Sequence, residues 1–218
     1  MTRIDKISQL HRKAEEKSAK RLRKKEELAN AAIGVLKQLG YARTSLRDIA
    51  EASGLSVGTL HYYFEDKVDL IGFCVQRYKS AFLDEMGAIL NGPAQGEALA
   101  RSLVRGLAHS ILRNAETHRL WYDFRSQAMF DPAFREVVAD IEDAVIEVVS
   151  RLLDRLGQTG ADVMPAYFLL DGAFRYYLQR HLAGDSTAAA TFEQAIADVL
   201  VRLAPTLPRQ GACSLQAS

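Results

Sequence analysis

The sequence predicts an all-α protein. Apolar residues recur at helical spacing through nearly all of the 218 residues, and no stretch of useful length alternates apolar and polar residues as a half-buried strand does. Glycine, proline and helix-capping residues divide the chain into segments of helix length. These observations predict nine helices, arranged as a short N-terminal helix-turn-helix module followed by a larger helical bundle.

The first helix is predicted from an apolar stripe. Its members, at positions i, i+4, i+7, i+8 and i+11, are Leu28, Ala32, Val35, Leu36 and Leu39. One helix face carries residues at this spacing, and the glycine that follows is a typical helix C-cap. The pattern therefore predicts a helix that begins near Lys20 and ends at Gly40, and the alternative is that the charged leader extends this helix toward the N-terminus.

Two short helices joined by a tight corner come next. Ser45 and Asp48 have the spacing of a capping box, which opens a helix through about residue 52. Gly54 suits the corner, because glycine tolerates a left-handed backbone. Ser56 then caps a second helix through about residue 63. Two helices of this length around one turn are typical of a helix-turn-helix unit.

The second short helix has the surface of a helix that enters a DNA groove. Ile49, Ala50, Leu55, Leu60 and Phe64 are predicted to face inward, whereas the exposed face carries Ser56, Val57, Gly58, Thr59 and Tyr62. Small residues at the N-terminal end of a helix allow it to sink into the major groove. Residues 56–63 are therefore the predicted recognition helix.

Longer helices are predicted over about 66–90, 94–115, 118–129, 132–156, 162–183 and 187–204. Asp66 with Asp69 can cap the first of these helices, and Asp131 followed by Pro132 marks the start of another. The predicted division is a basic arm (1–19), a DNA-binding domain (20–66), a ligand-binding and dimerisation domain (67–205) and a disordered tail (206–218).

Composition excludes several classes. A hydrophobic fraction of 48% suffices for a substantial core, and two cysteines far apart, Cys74 and Cys213, lack metal-ligand or redox spacing. No apolar run approaches the roughly 20 residues that cross a bilayer. The charged N-terminus has no apolar signal-peptide core. We therefore expect a cytoplasmic protein without a membrane partner.

Charge is distributed unevenly. Residues 1–25 contain ten Lys or Arg and three acidic residues, a net charge of +7, whereas the other 193 residues carry eighteen against twenty-four, a net charge of −6. A basic segment on a mildly acidic body indicates a polyanionic partner at one end. The alternative is a solvated, disordered leader. On the first interpretation, the arm adds phosphate or minor-groove contacts to DNA.

The residues of the helix-turn-helix, in their order along the sequence, resemble the pattern of the TetR family of transcriptional regulators. The matching residues are Gly40, Thr44, Ile49, Ala50, Ser53, Gly54, Leu55, Ser56, Gly58, Thr59, Leu60, Tyr62, Tyr63, Phe64, Lys67 and Leu70. The match covers about residues 25–72, a quarter of the chain. One departure is His61, where the family usually has tyrosine.

The resemblance implies a role for each exposed position. Arg47, with Thr44 or Ser45, would touch phosphate or a base edge from the first short helix. Thr59 and Tyr62 would face the groove, and His61, Tyr63 and Lys67 would hold phosphate. The alternative for the three consecutive aromatic residues is packing in the core, which is the interpretation we favour for Phe64.

The larger half carries no enzyme signature. It has no Gly-rich phosphate loop, nucleophile elbow or Glu-x-x-His motif, so we expect no catalytic residue, metal or cofactor. Its helices are rich in aromatic residues, and the resemblance implies an inducer cavity between the middle helices. The predicted ligand-binding residues are Tyr78, His109, His118, Trp121, Tyr122, Phe124, Arg125, Met129, Phe168, Asp171, Phe174 and Arg175. The alternatives are plain core packing and, for Asp171 with Arg175, a simple ion pair.

The last two helices are the predicted dimer interface. Residues 163–178 are apolar almost all round, which exceeds what one covered face requires. Pairing with two-fold mates would form a four-helix bundle. The predicted contact residues are Leu170, Tyr177, Phe192, Ile196, Val199, Leu200 and Leu203.

Taken together, these patterns predict a homodimeric, ligand-responsive regulator that binds a palindromic double-stranded operator. The resemblance favours a repressor released by a small, largely apolar or aromatic effector. One alternative is a helical-bundle enzyme or lipid-binding protein with a vestigial DNA module. Another is an architectural DNA binder that responds to no ligand.

Overall fold

The computed structural model describes the backbone of residues 3–203 and the side chains of residues 12–201. Within this range the chain forms eight α-helices, one 3-10 helix and no strand. The α-helices are α1 (Arg3–Arg43), α2 (Leu46–Ala52), α3 (Val57–Tyr63), α4 (Lys67–Asn91), α5 (Gly96–Gln127), α6 (Arg135–Arg155), α7 (Met164–Leu182) and α8 (Ala188–Leu203), and the 3-10 helix is Pro132–Phe134. The all-α prediction is confirmed. The predicted tail, Cys213 and the side chain of Leu203 lie outside the described residues.

The predicted helices 94–115 and 118–129 are joined without a loop in α5, which is why eight α-helices stand where nine were predicted. They meet at a kink, because the backbone angles of Asn114 (φ −123°, ψ 17°) are not helical. The predicted division into two helical segments is therefore confirmed as a kink, and only the short break at residues 116 and 117 is wrong. Thr117 is buried in the second segment and continues the helix there.

The first helix begins earlier than predicted. α1 starts at Arg3, not near Lys20, so the leader expected as an arm is helical over its described residues. The sequence contains no glycine or proline before Gly34, and Glu16 precedes Lys20 by four residues, which is a stabilising helical charge pair. At the other end, α1 is interrupted at Gly40 (φ 75°, ψ 169°), as the predicted C-cap requires.

The chain packs as two compact units. Unit 1 comprises the residues up to Phe82 together with Asn114–Glu142, and unit 2 comprises Leu83–Arg113 and the residues from Asp143 onward. The packing units therefore do not divide at residues 66 and 67. The functional division predicted there stays a prediction.

Unit 1 has a continuous apolar core under the helix-turn-helix. Its buried members include Leu28, Leu36, Ile49, Leu60, Phe64, Leu70, Ile71, Cys74, Leu120, Trp121, Phe124, Phe134, Val138 and Ile141. Burial raises the pKa of the Cys74 thiol to about 12, and its Sγ donates a weak hydrogen bond to the Ala29 carbonyl oxygen at 3.6 Å. The cysteine therefore acts as a small core residue.

Unit 2 is held by apolar packing and by one arginine at a helix end. α7 packs on α8 through Phe174 and Phe192, whose ring centroids lie 6.1 Å apart. The Arg155 guanidinium donates to the carbonyl oxygens of Leu90, Gly92 and Ala94 where α4 ends. A cation at this position satisfies carbonyl groups that a helix C-terminus leaves without partners.

No helix in the described part of the chain is long and apolar enough to cross a membrane.

Candidate nucleic-acid interface

α2 begins with the predicted capping box. The Asp48 backbone N–H donates to Ser45 Oγ at 3.2 Å, and the Ser45 backbone N–H donates to Asp48 Oδ2 at 2.7 Å. The hydrogen bonds from the Ser45 side chain and backbone hold the pKa of Asp48 below its usual value. Such a cap stabilises a seven-residue helix that is too short to be stable alone.

The turn between α2 and α3 is tight and uses a left-handed glycine. Gly54 has φ +65°, and a Cβ added there would meet no atom within 4 Å, so its backbone conformation alone requires glycine. The Leu55 N–H donates to the Ala50 carbonyl oxygen at 2.9 Å. This turn directs α3 away from the axis of α2.

The N-terminal end of α3 presents small groups that are already ordered. Ser56 Oγ accepts a hydrogen bond from the Thr59 N–H at 3.1 Å and lies 2.9 Å from Thr59 Oγ1. Gly58 is exposed, and Val57 is half-buried. This end of α3 therefore has no bulky side chain that would keep it from a groove floor.

The C-terminal end of α3 carries the aromatic residues. Leu60 and Phe64 are buried, whereas the Tyr62 side chain is 64% exposed. The Tyr63 ring packs edge-on against Tyr62, with 5.0 Å between centroids. His61 is exposed, and its Nδ1 lies 3.1 Å from the Glu65 carbonyl oxygen. The inward assignment of Leu60 and Phe64 is confirmed.

Thr44 does not belong to the exposed face, which corrects its predicted contact role. Its side chain is only 2% exposed, and its hydroxyl donates to the Gly40 carbonyl oxygen at 2.7 Å. Ser45 and Arg47 on the same segment are exposed. The interruption at Gly40 leaves the Gly40 carbonyl oxygen without a helical partner, and the Thr44 hydroxyl takes that place. The sequence pattern does not show this contact, so the burial of Thr44 could not be predicted from it.

Lys67 has a structural partner that the sequence did not indicate. Its Nζ donates to the Tyr41 carbonyl oxygen at 2.7 Å and lies 4.0 Å from the centroid of the Tyr41 ring. Partial burial lowers the pKa of Lys67. The ammonium group thus joins the start of α4 to the end of α1, and its phosphate contact stays a prediction.

Basic residues of α1 extend the exposed face of α3. Tyr62 and Tyr63 line an open groove of about 690 Å³ together with Lys17, Lys20, Arg21, Arg23, Lys24 and Glu27. An Arg21 guanidinium nitrogen lies 3.5 Å from the Tyr62 carbonyl oxygen. The predicted site contained none of these cations. The uneven charge of residues 1–25 was the signal that pointed to them.

The predicted ligand-binding residues are divided between the two compact units. Unit 1 contains Tyr78, His118, Trp121, Tyr122, Phe124, Arg125 and Met129, and unit 2 contains His109, Phe168, Asp171, Phe174 and Arg175. Met129, His109 and Phe168 are exposed, so they do not line an enclosed cavity within either unit. Phe174 is buried against Phe192.

Within unit 1, three of these residues form an aromatic and polar cluster with Lys79. The Tyr78 hydroxyl lies 2.5 Å from His118 Nδ1. Lys79 Nζ lies 4.7 Å from the centroid of the Trp121 ring and 5.0 Å from that of the Phe82 ring, which packs edge-on against His118. Phe124 is buried in the core of the same unit. Lys79, itself buried, was absent from the prediction because a lysine on an apolar helix face is ordinarily taken to reach solvent.

Most predicted dimer contacts are buried inside unit 2. Leu170, Phe192, Ile196 and Leu200 are all buried, and the Tyr177 ring packs on Phe192 with 5.8 Å between centroids. These residues hold α8 against α7 and the rest of unit 2, which corrects their assignment to a partner surface. Among the described side chains of the two helices, the large apolar ones that are exposed are Phe168, Tyr176 and Val199.

In the described part of the chain, no group of three or more His, Cys, Asp or Glu residues is placed to hold a metal ion.

The fold and this surface define a class: an all-helical protein with an N-terminal helix-turn-helix of the kind that regulatory proteins use to read DNA. Residues 28–72 match the family model described as bacterial regulatory proteins, tetR family. The resemblance seen in the sequence is therefore confirmed over this module.

Transcriptional regulators are among the proteins that are similar to this chain. The chain is 24% identical over 111 residues to the transcriptional regulator BetI of Cronobacter sakazakii, covering 50% of this chain and 55% of BetI. It is 25% identical over 160 residues to the regulator PksA of Bacillus subtilis, covering 69% of this chain and 76% of PksA. The chain thus spans about half the length of BetI.

One similar solved structure is the regulator FadR of Bacillus subtilis in complex with stearoyl-CoA. It superposes with a TM-score of 0.63 at 15% identity, covering 81% of this chain and 97% of FadR. At this identity the likeness concerns the fold alone.

The contact between Lys67 and Tyr41 predicts a stability effect. Lys67→Met keeps the length of the side chain and removes the ammonium group. We expect the free energy of unfolding to fall by about 1.5 kcal/mol, because a charged hydrogen bond to a carbonyl is lost. Urea denaturation measures this change. The control is Arg47→Met, which removes an exposed cation on α2 and should change the free energy of unfolding by less than about 0.5 kcal/mol. Equal stability of the two variants would contradict the structural role of Lys67.

Proposed function

We propose that the protein is a ligand-responsive transcriptional regulator, specifically a homodimeric repressor that leaves a palindromic operator when a small apolar or aromatic molecule binds. The observation that carries the proposal is the exposed face of α3, which combines small groups at its N-terminal end, an exposed Tyr62 and the adjacent cation of Arg21 on α1. Small groups permit entry into the major groove, and cations supply affinity for phosphate.

The contacts divide into two kinds. Ser56, Val57, Gly58 and Thr59 lie at the end of α3 that would enter the groove. Because Val57 and Gly58 offer no side-chain hydrogen bond, direct readout of bases would be modest and DNA shape would contribute to specificity. Ser45 and Arg47 lie at the start of α2, and His61 and Tyr63 lie toward the C-terminal end of α3. These four residues would contact the DNA backbone. Tyr62 is exposed on α3 and, with Thr59, would face the groove.

A Tyr62 variant tests the DNA-binding role. Selection from a pool of random duplexes by the full-length protein should enrich a palindrome with half-sites about one helical turn apart. Tyr62→Ala should weaken binding to that palindrome at least about tenfold, or about 1.4 kcal/mol, because the side chain is exposed in the free protein and lies on the DNA-facing side. Fluorescence anisotropy of the labelled duplex measures the affinity.

The matched control for this experiment is Phe130→Ala. Phe130 is 80% exposed in the turn after α5 and is not part of the α3 surface. The Phe130→Ala variant should bind the palindrome with the affinity of the wild type. Wild-type affinity of Tyr62→Ala, or failure to enrich any duplex at low salt, would overturn the proposed contact surface.

We place the dimer contact on the outer faces of α7 and α8. Phe168, Gly172 and Tyr176 are spaced by four residues and therefore share one face of α7. The two aromatic side chains are exposed, and a Cβ added to Gly172 would meet no atom within 4 Å. Exposed rings on either side of an open glycine would let the same helix of a second copy approach closely, as an isologous interface requires.

A charge on this face should separate the protomers. Phe168→Glu would bury a carboxylate in the proposed interface, and sedimentation velocity should then show a monomer where the wild type is dimeric. Affinity for the palindrome should fall with dimerisation, because two reading helices would no longer be coupled. Phe130→Glu places the same charge on another exposed aromatic residue and should stay dimeric. A dimeric Phe168→Glu variant would exclude this interface.

We place the effector beside the unit 1 cluster of Tyr78, Lys79, His118 and Trp121. Ligand sites are mostly apolar with a few placed polar groups. This cluster has the buried Trp121 ring beside the Lys79 ammonium and the half-buried Tyr78 ring beside the His118 imidazole. FadR, whose fold is similar, was solved with stearoyl-CoA. These observations support an apolar or aromatic effector with one polar end.

The chain contains a natural reporter for this site, because Trp121 is its single tryptophan and is 2% exposed. Titration with stearate and with naphthoate as probes should change the Trp121 emission over the concentration range that releases the duplex. Tyr78→Phe, which keeps the ring and removes the hydroxyl beside His118, should weaken the response. A compound that releases the duplex without altering Trp121 emission would contradict this placement.

A further inference from the structure

The N-terminal part of α1 extends well beyond the core of unit 1. Among the described side chains of α1, the first buried one is Leu28, and every one from Arg12 to Arg23 is exposed. At 1.5 Å per residue, these twelve positions form about 18 Å of helix that packs against little else. Core packing therefore does not explain why this segment is helical and basic.

The extension carries its cations mainly on one face. Lys13, Lys17, Lys20, Arg21 and Lys24 follow positions i, i+4, i+7, i+8 and i+11, which one side of a helix presents together. We name these five residues the α1 basic stripe. Glu15 lies two residues from Lys13 and Lys17, so it falls on the opposite side of the helix. Glu16 lies at the edge of the stripe, four residues before Lys20, and Lys24 is paired with Glu27 at 2.7 Å. Five cations against these two carboxylates leave the stripe with a net positive charge toward a partner.

The stripe continues the surface of α3. Lys17, Lys20, Arg21 and Lys24 line the groove of about 690 Å³ whose other wall contains Tyr62 and Tyr63. The Arg21 guanidinium carbon lies 5.8 Å from the centroid of the Tyr62 ring. A polyanion that contacts α3 would therefore also meet the row of cations on α1. This row extends past the part of the polyanion that α3 itself can contact.

We propose that the α1 basic stripe is a second DNA-contact surface, a rigid cationic helix that binds backbone phosphates flanking the half-site at α3. This inference rests on the proposed function and adds an extended footprint to it. The occupant is duplex DNA because the stripe is continuous with the α3 face and has the complementary charge. The proposal differs from a mobile arm in the minor groove, since here the helix sets the spacing of the cations.

Removing the charges tests the phosphate contacts. One full-length variant combines Lys13→Gln, Lys17→Gln and Lys20→Gln. Its affinity is measured for two duplexes, one trimmed to the selected palindrome and one extended by flanking base pairs at both ends. Each cation that binds a phosphate should lower the salt slope, d log K/d log[salt], by about 0.9 on the flanked duplex. The affinity for the trimmed duplex should change by less than about threefold, which is below 1 kcal/mol. Hydroxyl-radical footprints should shorten at both ends.

Breaking the helix while keeping every charge tests the rigidity. Ser18→Pro interrupts the exposed extension, because proline removes a helical hydrogen bond and clashes with the preceding turn. The matched control, Ser18→Ala, keeps the helix. Both variants leave the core of unit 1 untouched, and the cooperative thermal transition of each should match the wild type. Ser18→Pro should lose the flank protection and the steeper salt slope as the triple variant does, and Ser18→Ala should keep both.

The outcomes separate this inference from the proposed function. Wild-type flank protection in Ser18→Pro would overturn the rigid helix in favour of a flexible polycation. An unchanged salt slope in the triple variant, with normal binding to both duplexes, would overturn the stripe and leave the proposed function intact. Absence of binding by the wild-type protein to any duplex would overturn both.

Discussion

The outward face of α3 depends on the apolar cluster beneath it. α3 has seven residues and cannot be stable in water by itself. Leu60 and Phe64 bury its inner side in a core shared with α1, α2 and α4, and the cation of Lys25 lies 4.6 Å from the Phe64 ring. Because these two residues face inward, Gly58 and Tyr62 face solvent. The surface available to DNA is thus a consequence of packing on the other side of the helix.

The interruption of α1 at Gly40 creates backbone groups that the rest of unit 1 uses. The Tyr41 N–H donates to Asp123 Oδ2 on α5 at 3.0 Å, and the Tyr41 carbonyl accepts from Lys67 on α4 at 2.7 Å. The Gly40 carbonyl accepts from Thr44. One break in a helix therefore joins the start of α4 and the later part of α5 to the helix-turn-helix, within a single compact unit.

This arrangement bears on how an effector would act. Tyr78 and His118, which form the polar contact of the proposed effector site, lie on α4 and α5 in the same unit as α3. A ligand that favours another packing of these two helices would alter the support of the reading helix directly. Its effect on DNA affinity cannot exceed its difference in affinity for the two arrangements. Regulation in this scheme requires no change within α3 itself.

The sequence by itself determined the elements that depend on local interactions: the caps at Ser45 and Ser56, the corner at Gly54, the interruption at Gly40 and the all-α class. Capping bonds and glycine backbone preferences act over a few residues, so the pattern reveals them. Tertiary structure alone decided which apolar and polar side chains face each other. It buried Thr44, placed Lys67 on Tyr41, and put Phe192 and Leu200 inside unit 2 while exposing Phe168 and Tyr176. A helix that is apolar all round does not show which side meets its own chain and which meets a partner, because both sides gain the same free energy from leaving water.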